Sequence, residues 1–266
     1  MRMDFVAALD LPHAVAGLLV GTLVGLTGVG GGSLMTPLLV LFFGVSPQTA
    51  VGTDLLFAAI TKTVGSGIHQ QRNTIDWGIV RWLAIGSLPA TILTLIALAT
   101  VGEIGENANH IIVVVLGAML LVTSVGLVFQ RKLLNFGVTH PLPAAESKRA
   151  PVATIVLGVV LGVLITITSV GAGAIGATVL VMLYRRTPIA RIVGTDIAHA
   201  VPLALIAGVG HWFLGEVDFA LLLNLLIGSI PGVIAGSLLS SRAPDKLLRL
   251  TLAGVLTVSG VRLLLQ

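Results

Sequence analysis

The chain has 266 residues, of which 56% are hydrophobic and 10% charged, and its mean hydropathy is +1.07. Soluble domains carry about 25% charged residues, so this composition excludes an ordinary cytosolic enzyme, and the lack of cysteine excludes a disulfide scaffold, a thiol nucleophile and a thiolate metal site. The net charge of +4 comes with no basic stripe interleaved with aromatics; it fits cytoplasmic loops of an integral membrane protein and gives no reason to expect a nucleic-acid partner.

In chain order, residues 1–13 hold Asp4 and Asp10 and lack a compact apolar core before a small-residue cleavage site, so no cleaved signal peptide is expected. Residues 13–27 and 33–43 are two short apolar pieces joined by glycines, a predicted hairpin over 13–43. Three stretches of spanning length follow at 49–69, 77–100 and 110–130, since hydrocarbon takes about 20 apolar residues to cross. A polar linker occupies 131–150. A second hairpin is predicted over 151–184, from pieces 151–168 and 174–184, and three more spans over 191–212, 219–241 and 246–265. The later piece of each hairpin reaches only about 17 Å as a helix, half a bilayer.

The two halves, 1–130 and 151–266, are copies. Val29, Gly30, Gly32 and Pro47 recur 141 positions on as Val170, Gly171, Gly173 and Pro188. At an offset of 142, Val51, Gly52, Thr53 and Asp54 match Val193, Gly194, Thr195 and Asp196. His69 then matches His211, Asp76 matches Asp218, and Gly86, Ser87 and Pro89 match Gly228, Ser229 and Pro231. Duplication of this kind is a feature of secondary transporters. Pro89 and Pro231 fall inside spans and are expected to kink them.

Charge sets the relative orientation of the copies. With Arg131, Lys132, Lys148 and Arg149 placing the linker in the cytoplasm, and each hairpin entering and leaving on one side, twelve of the fifteen Lys and Arg fall inside. Arg2 and Arg262 fall outside and Lys62 lies within a span. A single broken crossing in place of each hairpin would send Arg185, Arg186 and Arg191 outside. Three crossings plus a hairpin make an odd number, so the predicted fold is an all-α integral membrane protein of two inverted-topology repeats.

Two glycine breaks mark the candidate substrate site. One is Gly28-Val29-Gly30-Gly31-Gly32-Ser33 and the other Ser169-Val170-Gly171-Ala172-Gly173-Ala174. Irregular backbone at membrane depth is tolerated where protein buries it or it lines a wet cavity. A helix starting after such a break presents unsatisfied N–H groups and the positive end of its dipole, which suits an anion. A dinucleotide fingerprint does not fit, since the sixth position is Ser33. Gly17, Gly21 and Gly25, and Gly158 and Gly162, have the four-residue spacing of close helix packing.

Asp54, Asp196 and Lys62 are ionisable groups inside predicted spans, where such groups are costly and functional by default. Lys62 has no charged counterpart, its match being Ala204. It can attract an anion, release a proton when buried, or pair with Asp54 two turns away. The two aspartates follow Gly-Thr in early helix turns, where a carboxylate can bond backbone N–H groups, and each falls near one mouth of the expected pathway, where it can gate. His69, His199 and His211 are candidates for gating or proton coupling. No catalytic set emerges: Ser33 has Ala174 as its repeat partner and no motif supplies a base. No enzyme activity, cofactor or metal is expected.

The run from Gly21 to Ser33, followed by Pro37, the Ser46-Pro47 turn, Ala50-Val51-Gly52-Thr53 and the weaker second copy, resembles the TauE/SafE family of sulfite exporters over nearly the whole chain. The resemblance implies a multi-pass permease of the cell inner membrane for sulfite, organosulfonates or related sulfur-containing anions. The family's pattern falls on residues 30–33 and 171–174, on Gly52 and Thr53, and on Gly194 and Thr195. The expected substrate site is therefore Gly30, Gly31, Gly32, Ser33, Thr36, Thr53, Lys62, Gly171, Ala172, Gly173, Ala174 and Thr195. The expected activity is secondary transport by alternating access with proton coupling; a channel or uniporter for small oxyanions or carboxylates is the alternative. The expected partners are the small anion and the bilayer.

Overall fold

The computed structural model describes residues 10–27, 32–102, 106–139, 149–170, 176–239 and 245–265. Among them lie ten α-helices and no strand: α1 Leu11–Thr27, α2 Gly32–Phe43, α3 Pro47–Gln71, α4 Trp77–Gly102, α5 Glu106–Thr139, α6 Ala150–Thr168, α7 Ala177–Leu183, α8 Ile189–Phe213, α9 Phe219–Leu239 and α10 Asp245–Leu264. Four segments are long and apolar enough to cross a membrane: Trp77–Thr100, Ala150–Thr168, Ile189–Phe213 and Phe219–Gly236. Large apolar side chains such as Leu93, Ile96, Val125, Val156, Ile234 and Val258 are exposed, which suits a surface bathed in lipid rather than water.

Local chemistry sets the helix starts. Ser46 accepts the Thr49 N–H at 3.3 Å with Pro47 in the first helical position, so α3 begins two residues before the predicted 49. Asp76 Oδ1 accepts from Gly78 and Ile79 at 3.0 and 3.3 Å to cap α4, and Asp218 Oδ1 accepts from Leu221 at 2.9 Å to cap α9. The turns before these caps each contain one left-handed residue, Asn73 at φ 52° and Gly215 at φ 77°, which occupy matching places in the two halves. Helix α5 continues to Thr139, past the predicted boundary at 130, because Arg131, Lys132, Leu133 and Leu134 are good helix formers. Helix α6, the first leg of the second predicted hairpin, is itself of spanning length, whereas α7 has seven residues.

Helices from one half pack on those of the other, and the contacts recur in pairs. Helix α1 lies on α9 as α6 lies on α4; α3 faces α8 and α5 faces α10. Close approach is built from small residues. A side chain at Gly21 would strike the Ser229 carbonyl, and one at Gly162 the Ser87 carbonyl; Gly228 and Gly86 abut Ala14 and Ile155 in the same reciprocal way. One apolar core gathers Met35, Leu39, Phe57, Leu116, Leu120 and Leu256, and another gathers Leu55, Leu83, Leu161, Leu180 and Leu203. The polar groups of interest lie between them on α3 and α8.

Candidate functional site

Asp54 stands two turns into α3 and is fully buried. Its Oδ2 accepts the Thr36 hydroxyl of α2 at 2.6 Å and the Ser169 hydroxyl at 2.9 Å. Ser169 is the C-cap of α6, with φ 57°, just before the second glycine break. One carboxylate of the first half thus ties the helix after the first break to the helix before the second. These bonds, rather than early N–H groups of its own helix, hold Asp54.

Asp196, its match on α8, is also buried, with Oδ1 lacking any hydrogen-bond partner. That oxygen faces Gly176, where a Cβ would stand 3.0 Å from it, so Asp196 lies against the start of α7 immediately after the second break. Lys62, on α3, is partly exposed and within Coulombic range of both Asp54 and Asp196. Among the described residues no hydrogen bond or ion pair ties it down. The ion pair between Lys62 and Asp54 open from the sequence is therefore a longer-range attraction. His199 is buried, feels the Lys62 charge, and joins Nε2 to the Ser87 hydroxyl at 2.8 Å while Nδ1 has no partner. Thr36, Asp54, Lys62, Asp196 and His199 form one polar locus between two apolar cores.

The Gly-Thr pairs meet the opposite half. A side chain at Gly52 would strike the Glu216 carbonyl, and one at Gly194 the Thr74 carbonyl. Thr53 accepts the Asp218 N–H at 3.1 Å and Thr195 the Asp76 N–H at 2.9 Å; the Thr195 hydroxyl also donates to the Arg191 carbonyl at 2.6 Å. Both hydroxyls accept a backbone N–H from a loop of the opposite half. His69 pairs its Nδ1 with the Thr74 hydroxyl at 2.8 Å. His211 is buried, with Nδ1 2.6 Å from Glu216 Oε2 and Nε2 2.8 Å from the Thr166 carbonyl.

Of the remaining predicted site residues, Gly32 opens α2 and Ser33 follows within it. Gly30, Gly31, Gly171, Ala172, Gly173 and Ala174 lie outside the described residues. Sequence reasoning passed over Ser169, Ser87 and Glu216 as site residues. Ser169 had one signal, a hydroxyl where the first break has Gly28. Among the described residues no cluster of His, Asp and Glu suits a metal ion.

A family model described as sulfite exporter TauE/SafE matches residues 13–263. The "Probable membrane transporter protein YjnA" of Bacillus subtilis is 42% identical over 253 residues, covering 93% of this chain and 97% of the relative. The same organism's "Probable membrane transporter protein YdhB" is 25% identical over 254 residues, covering 92% and 96%. A "Probable membrane transporter protein" of Methanocaldococcus jannaschii is 23% identical over 282 residues, covering 100% and 99%. No solved structure matches. An apolar helical bundle with a buried polar locus, a family match over nearly its whole length and relatives named as transporters lead to one conclusion: the chain belongs to the TauE/SafE family and is a membrane transporter of that type.

Proposed function

We propose that the chain is an inverted-repeat secondary transporter that exports small sulfur-containing anions, sulfite or short organosulfonates, across the cell inner membrane by alternating access coupled to protons. The observation that carries this reading is Lys62: an ammonium on α3 with no hydrogen bond or ion pair among the described residues, beside buried groups that touch the flanks of both glycine breaks. An anion placed there gains a charge-assisted contact in a low-dielectric setting. The N–H groups at the start of α2, which has twelve residues, supply further donors. Helix α7 has seven, so the second break contributes through Asp196 and the preceding Ser169 more than through a helix dipole.

The reciprocal contacts between halves support a two-fold relation, and the charge pattern favours inverted copies. Arg191 lies 4.0 Å from Asp76, which joins two loops read from charge as cytoplasmic. Trp77 and the matching Phe219, both exposed, lie at helix starts where aromatic side chains anchor at a membrane interface. In proteoliposomes the expected result is saturable sulfonate or sulfite flux driven uphill by a pH gradient. Gradient-independent flux would replace the carrier with a uniporter or channel. Response to carboxylates alone would sink the sulfur substrate.

A further inference from the structure

Asp54 and Asp196 occupy matching positions but are held differently. Asp54 Oδ2 accepts hydroxyls from Thr36 and Ser169. The residues matching those donors are Ala177 and Gly28, neither of which has a hydroxyl; Oδ1 of each aspartate is buried with no hydrogen-bond partner, so the difference between them is the pair of hydroxyls on Asp54 Oδ2. The helices packed on α8 bring few charges to it. Helix α3 brings Lys62, Asp54 and, near its end, His69; α4 has only the exposed Arg81; α6 and α7 have no ionisable side chain. On α8 itself are Arg191, His199 and His211, and the charge acting on Asp196 is that of Lys62.

One ammonium therefore serves two buried carboxylates. An anion that docks on Lys62 takes most of that ammonium's field. Asp54 keeps its two hydroxyl donors, whereas Asp196 is left as a buried carboxylate with no hydroxyl donor among the described residues, a state that folded proteins avoid by neutralising the group. Resting on the transporter reading above, we infer that Asp196 is the coupling carboxylate, taking one proton from water on Oδ1 as the anion reaches Lys62 and returning it to water when the anion leaves. The incoming negative charge and the proton cancel, so a monovalent anion moves with one proton in the same direction and with no net charge, and export down the anion's own gradient carries a proton out with it.

The experiment uses methanesulfonate, which exchanges no proton of its own near neutral pH, with the full chain in proteoliposomes that trap a pH-sensitive dye. In the wild type, one proton moves per sulfonate and the flux ignores an imposed membrane potential. In Asp196→Asn the flux falls but continues, the proton movement vanishes and the residual flux responds to potential; Asp196→Glu restores the coupling. Asp54→Asn keeps a ratio of one. A second readout does not need flux: sulfonate added to detergent-solubilised wild type increases the infrared absorption of a protonated carboxyl, and this increase is missing in Asp196→Asn. Sulfonate flux without protons in the wild type, or coupling that survives Asp196→Asn, overturns the inference while leaving the transporter reading intact. Proton-coupled flux of acetate alone, lost in Asp196→Asn, supports the inference and removes the sulfur substrate. Absence of flux for sulfonate, sulfite, acetate and chloride overturns both.

Discussion

The two ends of the molecule carry the same scaffold with different chemistry. At one end Gly194 fits against the Thr74 carbonyl, Thr195 receives the Asp76 N–H, and His69 meets the Thr74 hydroxyl. At the other, Gly52 fits against the Glu216 carbonyl, Thr53 receives the Asp218 N–H, and His211 is held between Glu216 and the Thr166 carbonyl. Each ring nitrogen of His211 thus has a partner, a carboxylate oxygen for Nδ1 and a backbone carbonyl for Nε2. His211 is therefore fixed to the last turn of α6, next to the second break, whereas among the described residues the His69 ring bonds its own loop. The backbone fit is duplicated; the strength of the clasp is not.

The largest effects test the shared scaffold. Gly228→Leu and Gly86→Leu would each drive a side chain into backbone carbonyl, and each is expected to cost about 3 kcal/mol or more, enough to abolish the monodisperse peak in size-exclusion chromatography. A normal peak for one alone would break the equivalence of the α1–α9 and α4–α6 contacts. Next comes the asymmetric charge. Lys62→Ala is expected to weaken methanesulfonate binding about 10- to 100-fold by calorimetry, the range of one lost charged hydrogen bond, in a protein that still folds. Unchanged affinity would remove Lys62 from the site.

The clasps themselves come third. His211→Gln is expected to lower stability by about 2 kcal/mol and His69→Gln by less than about 1 kcal/mol, read as thermal shifts in detergent. Equal shifts would make the two ends equivalent after all. The smallest effects are expected from Thr53→Val and Thr195→Val, about 1 kcal/mol each and alike, because both remove an acceptor for a loop N–H.

Much of the fold was legible because its signals are local or periodic. Apolar length located the helices, the glycine breaks separated α1 from α2 and α6 from α7, and the fixed offset paired Asp54 with Asp196 before any contact was known. The end of α5 was not legible, because charged residues that stop a span do not stop a helix. The role of Asp54 was hidden for a different reason. Its donors, Thr36 and Ser169, are 18 and 115 residues away, and no spacing rule joins them.

The sequence by itself determined a membrane-embedded helical bundle with an internal repeat and, at Lys62, a lysine within a predicted span that the repeat does not match, since hydropathy, repeat offset and charge are properties of the chain. Only the tertiary structure decided how the matching residues differ. Asp54 Oδ2 receives the Thr36 and Ser169 hydroxyls, while among the described residues no hydroxyl reaches Asp196; the residues that match those donors in the sequence, Ala177 and Gly28, have none to give. Duplication copies positions, while packing of the diverged copies sets which polar groups find a partner.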